Sequence, residues 1–353
     1  MILTASTKKV ATDLVEKKLE AAARNRILYS AVKLFATGYT PPGQRKLGDF
    51  NGSGVIVNVE TRNNKKVVTI LSAMHNVMSW SQTKAIPNND LIGKFAAATT
   101  IKWVKSDAAF NSEPKGETNK APVPGTQITD QCGQRNLCFY DLLVLECEDE
   151  ALYDFAYENV FAKAEDTIGG EANAICGQSG VAESRLLKRA QYDYLQLGYG
   201  KITEARTKQK IDKDTKKLVA PTIPDDTYVA TAAQAAGMEE YHLHYRLTSL
   251  KSEQFASAFD QTTALPKPNN QAAPTYQEYV HALLHTGKTT NTSAPGDSGG
   301  PMYAINKDDP SKLFLLGITS GADMQLAKKP AYVAFKNCVS TSVGPYMRTK
   351  RPQ

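Results

Sequence analysis

The stretch Asn291–Tyr303 reads NTSAPGDSGGPMY and sets a serine, Ser298, among glycines and directly after an acid. A serine hydroxyl is a poor nucleophile at neutral pH. It needs a neighbouring base to take its proton and donors to hold the oxyanion that forms on the attacked carbonyl. Gly296, two residues before the serine, lets the backbone turn so that the N–H groups of residues 296 and 298 aim at one point. Ser298 is therefore the candidate nucleophile, and Gly296 and Ser298 are the candidate oxyanion donors. The plain structural alternative is a glycine-rich turn ahead of a strand at Pro301–Ile305, so the partners of the serine decide between the two.

Working outward, a serine hydrolase of this kind needs a histidine to shuttle the proton and an acid to orient that histidine. The chain has five histidines, His75, His242, His244, His281 and His285. His75 follows VVTILSAM, an apolar strand ending in small residues, and Asp141 opens the apolar run of FYDLLVLE. The other four form two pairs, in YHLHYRL and YVHALLH. Neither pair has a cysteine or carboxylate at ligand spacing, so they read as strand or helix residues rather than a zinc site.

GDSGGP at Gly296–Pro301, the His75 segment and the Asp141 segment together resemble the trypsin/chymotrypsin-like serine proteases, and they occur in that family's order. NGSGVIV at Asn51–Val57 resembles the strand that precedes the histidine segment. Met74 stands where a small residue is usual, Asn76 where a cysteine would be, and Ser53 where its disulfide partner would lie. The resemblance implies an all-β fold of two antiparallel six-stranded barrels with the active site between them. It implies a catalytic triad in which His75 is the general base, Asp141 orients the imidazole and Ser298 attacks the carbonyl, with the N–H groups of Gly296 and Ser298 binding the oxyanion.

LLGITSGAD at Leu315–Asp323 resembles the strand beside the substrate in that family. By resemblance, Ser320 bonds Asp141, and Ser320, Gly321 and Ala322 form one wall of the substrate pocket, Gly321 replacing an aromatic residue. The same resemblance puts Thr292, six residues before Ser298, at the pocket base, where it offers only a hydroxyl. A buried substrate cation would lack a partner there, so cleavage after small or apolar residues is expected unless Asp323 turns inward. Asp297 matches the acid that pairs with a newly cut N-terminus in digestive relatives. The usual IVGG sequence is missing, and Ile27–Leu28–Tyr29 lacks the glycines. A protease active without that cut, or switched by a partner, is the expectation.

Composition sets the outer limits. The chain has 353 residues with 41% hydrophobic content, enough for one large or two medium domains with a real core. Its net charge of +6, from 42 basic and 36 acidic residues, is small for this size and gives no reason to expect nucleic acid as a partner. There is no apolar run of about 18 residues and no apolar stretch after the charges of Met1–Lys9, so neither a membrane span nor a secretory signal is expected. Cys132, Cys138, Cys147, Cys176 and Cys338 are odd in number and thinly spread, which fits free thiols and a cytoplasmic, reducing setting. No cofactor and no metal is called for.

In outline, residues 1–29 form an N-terminal helical extension, with a helix over Thr7–Arg26 that has Val15, Leu19 and Ala22 on one face. Residues 30–160 form a first barrel carrying His75 and Asp141, and residues 161–353 a second carrying Ser298. Strands are expected at Ser30–Ala36, Gly54–Glu60, Lys66–Ser72, Leu142–Glu146, Ala172–Cys176, Tyr241–Leu247, Leu313–Thr319 and Ala331–Phe335. Asn111–Gln131 and a lysine-rich insertion around 186–226 read as surface loops. The expected partner is a protein or peptide substrate, with a regulatory protein at the N-terminal helix or lysine-rich loop as a further one. A competing reading is a catalytically inactive adaptor that keeps the protease fold to bind a partner.

Overall fold

The computed structural model describes residues 14, 18–40, 48–77, 89–104, 116–118, 120–124, 142–161, 191–200, 210–211, 218–219, 243–252, 282–287, 296–310, 313–322 and 337–342. Helix α1, Ala21–Ser30, leads into β1, Ala31–Ala36; β2, Phe50–Arg62; and β3, Lys65–Ala73. A 3-10 turn at Met74–Asn76 follows, then α2, Asn89–Ala98; β4, Thr99–Trp103; β5, Gly116–Glu117; β6, Val123–Pro124; β7, Leu142–Cys147; and α3, Glu150–Asn159. The second half holds β8, Tyr192–Gly198; β9, Lys210–Ile211; β10, Leu218–Val219; β11, His244–Ser252; β12, Ala282–Gly287; β13, Pro301–Asn306; β14, Leu313–Ala322; and β15, Asn337–Ser342. The fold is mostly antiparallel sheet with few helices, as the short β-branched runs imply.

The first seven strands make one sheet in the order β5-β4-β1-β2-β3-β7-β6. The β2–β3 hairpin turns on Asn63 and Asn64, both with positive φ (53° and 61°), as a two-residue turn that follows the strand twist requires. Asparagine tolerates that conformation better than most residues. The sheet does not close among the described residues, which corrects the expected first barrel. Its outer strands β5 and β6 have two residues each and pair only inward, with β4 and β7. Pro122 and Pro124 remove N–H donors where a closing ladder would have to form. The segment 111–131, read as a loop, thus supplies both edges of the sheet.

In the second half, β11-β12-β15-β14-β13-β8 form a closed barrel, every neighbouring pair antiparallel. One of its staves is Tyr192–Gly198, inside the segment expected to be a lysine-rich insertion. Here the expectation needs correcting, since β8 pairs with both β11 and β13. Further along that segment, among the described residues, β9 and β10 pair as a two-stranded antiparallel sheet. The strand expected at 241–247 begins at His244 and runs to Ser252, while the expected strands at 172–176 and 331–335 lie outside the described residues.

One apolar core runs through both halves, from Ile27, Val55 and Leu71 to Leu195, Leu197, Tyr303 and Ile318. Helix α1 ends at Ser30, not Arg26, because Ile27 and Leu28 are needed in that core and Tyr29 packs edge-on against Phe155 of α3, 5.4 Å between ring centres. Two barrel tyrosines hold the junction of α1 and β1. Tyr303 shares a 2.5 Å hydrogen bond with the Ser30 hydroxyl, and the Tyr199 hydroxyl donates to Ala31 O at 3.3 Å. Helix α3 is capped by Asp149, whose carboxylate accepts from Leu152 N–H at 2.9 Å. Among the described residues no helix is long and apolar enough to cross a membrane.

Cys147 closes β7 as a buried free thiol, its Sγ 3.6 Å from Lys120 O. Burial, with a smaller push from Asp149, raises its pKa to about 12. At pH 8 its thiolate share is then roughly a thousandfold below that of an ordinary thiol. Iodoacetamide at pH 8 is expected to modify Cys147 at least about 100-fold more slowly in the folded protein than in urea, read by peptide mass spectrometry. Equal rates in the two states would contradict the burial described here.

Candidate active site

The apolar strand β3 is buried along its length after Lys66, and it delivers the chain to the 3-10 turn that carries His75. The flanking residues Met74 and Asn76 are buried, which leaves the histidine half-exposed at the sheet end. Ser298 comes from the other half, in the turn just before β13. Although 223 residues apart in sequence, His75 Nε2 and Ser298 Oγ lie 2.8 Å apart. That is hydrogen-bond distance, with the imidazole able to accept the hydroxyl proton in one of its tautomers.

The GDSGG turn has its shape for local reasons. Gly296 and Gly299 have φ of 100° and 89°, which side chains other than hydrogen rarely permit. The carbonyls of three successive residues are each held. Gly296 O accepts from the Ser53 hydroxyl at 2.7 Å, Asp297 O from Gly300 N–H at 2.8 Å, and Ser298 O from Ser53 N–H at 2.9 Å. A trans peptide places its N–H opposite its carbonyl. Fixing Asp297 O towards Gly300 therefore turns the Ser298 N–H to the opposite side of that peptide. The turn is also docked on β14, with Gly299 N–H donating to Thr319 O and Thr319 N–H to Gly300 O, both at 2.7 Å.

Asp297 is fully buried, and its Oδ1 accepts from Gly200 N–H at 2.8 Å. The carboxylate lies in a cradle that any side chain would fill. A Cβ on Gly198 would come within 2.3 Å of Oδ1, and one on Gly200 within 2.5 Å. The end of β8 and the residues after it thus secure the acid beside Ser298, a role the sequence reading did not give them.

Sequence reasoning also missed what Ser53 does. It sits on β2 in the first sheet, fully buried, and besides its two bonds to the turn its Oγ accepts from Tyr199 N–H at 2.8 Å. Its carbonyl accepts from the Ser72 hydroxyl at 2.8 Å, and Ser72 Oγ in turn accepts from the Asn76 amide at 3.3 Å. Ser53 and Asn76 are the positions that the resemblance would join by a disulfide. A chain of hydrogen bonds through Ser72 links them instead. The absence of both cysteines was the one sequence signal for it.

Of the other expected site residues, Ser320 is buried on β14, and Gly321 and Ala322 follow it at the end of that strand. The register of β14 with β15 slips between Thr319 and Gly321, which makes Ser320 the extra residue of a bulge next to the docked turn. Asp141 and Thr292 lie outside the described residues. So do His242 and His281, while His244 and His285 stand opposite Gly198 and Leu250 in the barrel. Among the described residues no three metal-ligating side chains gather.

No protein-family model matches this chain, and no curated protein matches it. A solved structure does. The chain is similar to the thermostable serine protease AL20 from an extremophilic microorganism, at 12% identity and a TM-score of 0.39, covering 91% of this chain and 94% of the other. At that level of similarity, the chemistry of the site has to be argued from its own geometry.

Proposed function

We propose that this chain is a serine endopeptidase, and the observation that carries the reading is the 2.8 Å approach of His75 Nε2 to Ser298 Oγ within a rigid glycine turn. His75 takes the hydroxyl proton as Ser298 attacks the scissile carbonyl carbon. The carbonyl oxygen, now negative, is received by the N–H groups of Ser298 and Gly296. His75 then returns the proton to the leaving amine, and water repeats the sequence to release the acyl group. Asp141 is proposed to orient His75. It directly precedes Leu142, whose β7 position pairs with Ala73, two residues before the histidine.

The proposed enzyme needs no cut N-terminus, a reading supported by the Gly200 N–H on the Asp297 carboxylate. It works in a reducing compartment and cleaves after small or apolar residues, in a pocket walled by Ser320, Gly321 and Ala322 and floored by Thr292.

A fluorophosphonate probe tests the chemistry directly. One phosphonyl adduct is expected, on Ser298, with none in Ser298→Ala, together with cleavage of members of a peptide library by the wild type only. Folded wild-type protein that takes up no probe and cuts no peptide would leave the inactive-adaptor reading standing in its place.

A further inference from the structure

The nucleophile and its base belong to different sheets, so their 2.8 Å separation depends on whatever fixes one sheet against the other at that point. Ser53 lies on β2, the strand beside β3, whose end carries His75. From there it reaches across to the turn and holds the carbonyls on both sides of Asp297, using its side chain for one and its backbone for the other. Its remaining polar capacity is also engaged, the Oγ by Tyr199 N–H and the carbonyl by the Ser72 hydroxyl. Ser53, Ser72, Asn76 and Tyr199 are buried, where hydrogen bonds are electrostatically stronger and an unmatched group is costly, and the turn they hold is half-buried at Gly296 and Ser298. Gly299 leaves it room, since a Cβ there would lie 2.1 Å from Ser53 O and 2.3 Å from Ser72 Oγ.

We propose that Ser53 is the positioning residue of the reaction, setting the distance between Ser298 and His75 and the direction of the Ser298 N–H by clamping the nucleophile turn to the base's sheet. The inference rests on the hydrolase reading above. Its hydroxyl touches no substrate. It acts by holding Gly296 O, and losing that bond leaves a half-buried carbonyl without its partner and the turn free to relax away from the histidine.

The test compares wild type, Ser53→Ala and Ser53→Cys as full-length chains. In Ser53→Ala, the rate of phosphonylation at Ser298 and kcat for a peptide amide are expected to fall together by about 30-fold, the scale on which a misplacement of an ångström or less acts. KM is expected to stay within about threefold, and affinity for a peptide boronic acid, which engages the oxyanion site, is expected to fall in proportion to kcat. Ser53→Cys, which keeps a weak donor, is expected to recover part of the loss.

A folded Ser53→Ala protein with wild-type labelling and turnover would overturn the proposal. A fall in melting temperature without the kcat and boronate effects would do the same, reducing Ser53 to a packing residue. If Ser53→Ala does not fold, Ser72→Ala carries the test, since it loosens the Ser53 carbonyl and leaves its hydroxyl in place. A fall of about tenfold in kcat is then expected, and no change overturns the proposal. Failure of the wild type itself to label would refute the hydrolase reading, and this inference with it, whatever Ser53 does.

Discussion

Ser298→Ala is expected to lower kcat for a peptide amide by roughly five to six orders of magnitude while leaving the melting temperature within about 2 °C of wild type. The size follows from what is removed. Without the hydroxyl no acyl-enzyme forms, and only the oxyanion donors and binding contacts remain to assist attack by water. Stability is spared because Ser298 holds its place in the fold through its carbonyl on Ser53 N–H, which alanine retains. His75→Ala is expected to cost about as much, and the double variant no more than either single one, because base and nucleophile act as a unit. Retention of more than about a tenth of wild-type turnover in Ser298→Ala would dismiss the mechanism.

Gly299→Ala is the substitution expected to harm the fold most. At φ of 89° an alanine is strained by itself, and its Cβ would lie 2.1 Å from Ser53 O and 2.9 Å from Ser72 Cα, neither of which can swing aside as a flexible side-chain tip would. Backbone strain and overpacking, about 1–3 kcal/mol each, together give roughly 4 kcal/mol, or a melting temperature lower by about 5 °C in a protein of this size. Gly38 is the control. Its φ is 63°, yet no atom lies within 4 Å of a Cβ there, so Gly38→Ala should cost only about 1–2 kcal/mol. If the two alanines were equally destabilising in a thermal melt, the close approach of the turn to Ser53 and Ser72 would be wrong.

Much of the strand content was legible because β1, β2, β3, β7, β13 and β14 are apolar runs bounded by turn residues, and they appear within a few residues of where the sequence puts them. The pairing of Ser298 with His75 was legible for a different reason. Their local sequence, a serine between glycines and a histidine after an apolar strand, carries the signal on which the proposed chemistry rests.

β8 was missed because the usual signal is weak. YDYLQLG is buried on both faces, with Gln196 satisfied by Thr319 Oγ1 at 3.0 Å, so no alternation marks it, and the cations after it suggested a loop. Helices α2 and α3 left signs that could have been read. Ile92, Phe95 and Ala96 share a face in one, and in the other Asp149 caps a helix with Leu152 and Ala156 buried. Ser53, Gly198 and Gly200 were out of reach in principle. Ser53 meets Tyr199 and Gly296 at separations of 146 and 243 residues, and nothing near it in the chain announces either partner.

The division of the pair between two sheets has a consequence for the newly made protein. His75 and the strand that carries it are synthesised early, while Ser298 precedes the last three staves of the barrel, the final one ending at Ser342. Contacts this distant in sequence form late, because the intervening chain must first be ordered. A nascent chain emerging from the ribosome would thus hold a histidine and no seated serine until β15 had been translated and the barrel had closed. In the endopeptidase proposed above, this timing would keep Ser298 and His75 apart while the described strands are still unfolded, and so guard against self-digestion during biogenesis.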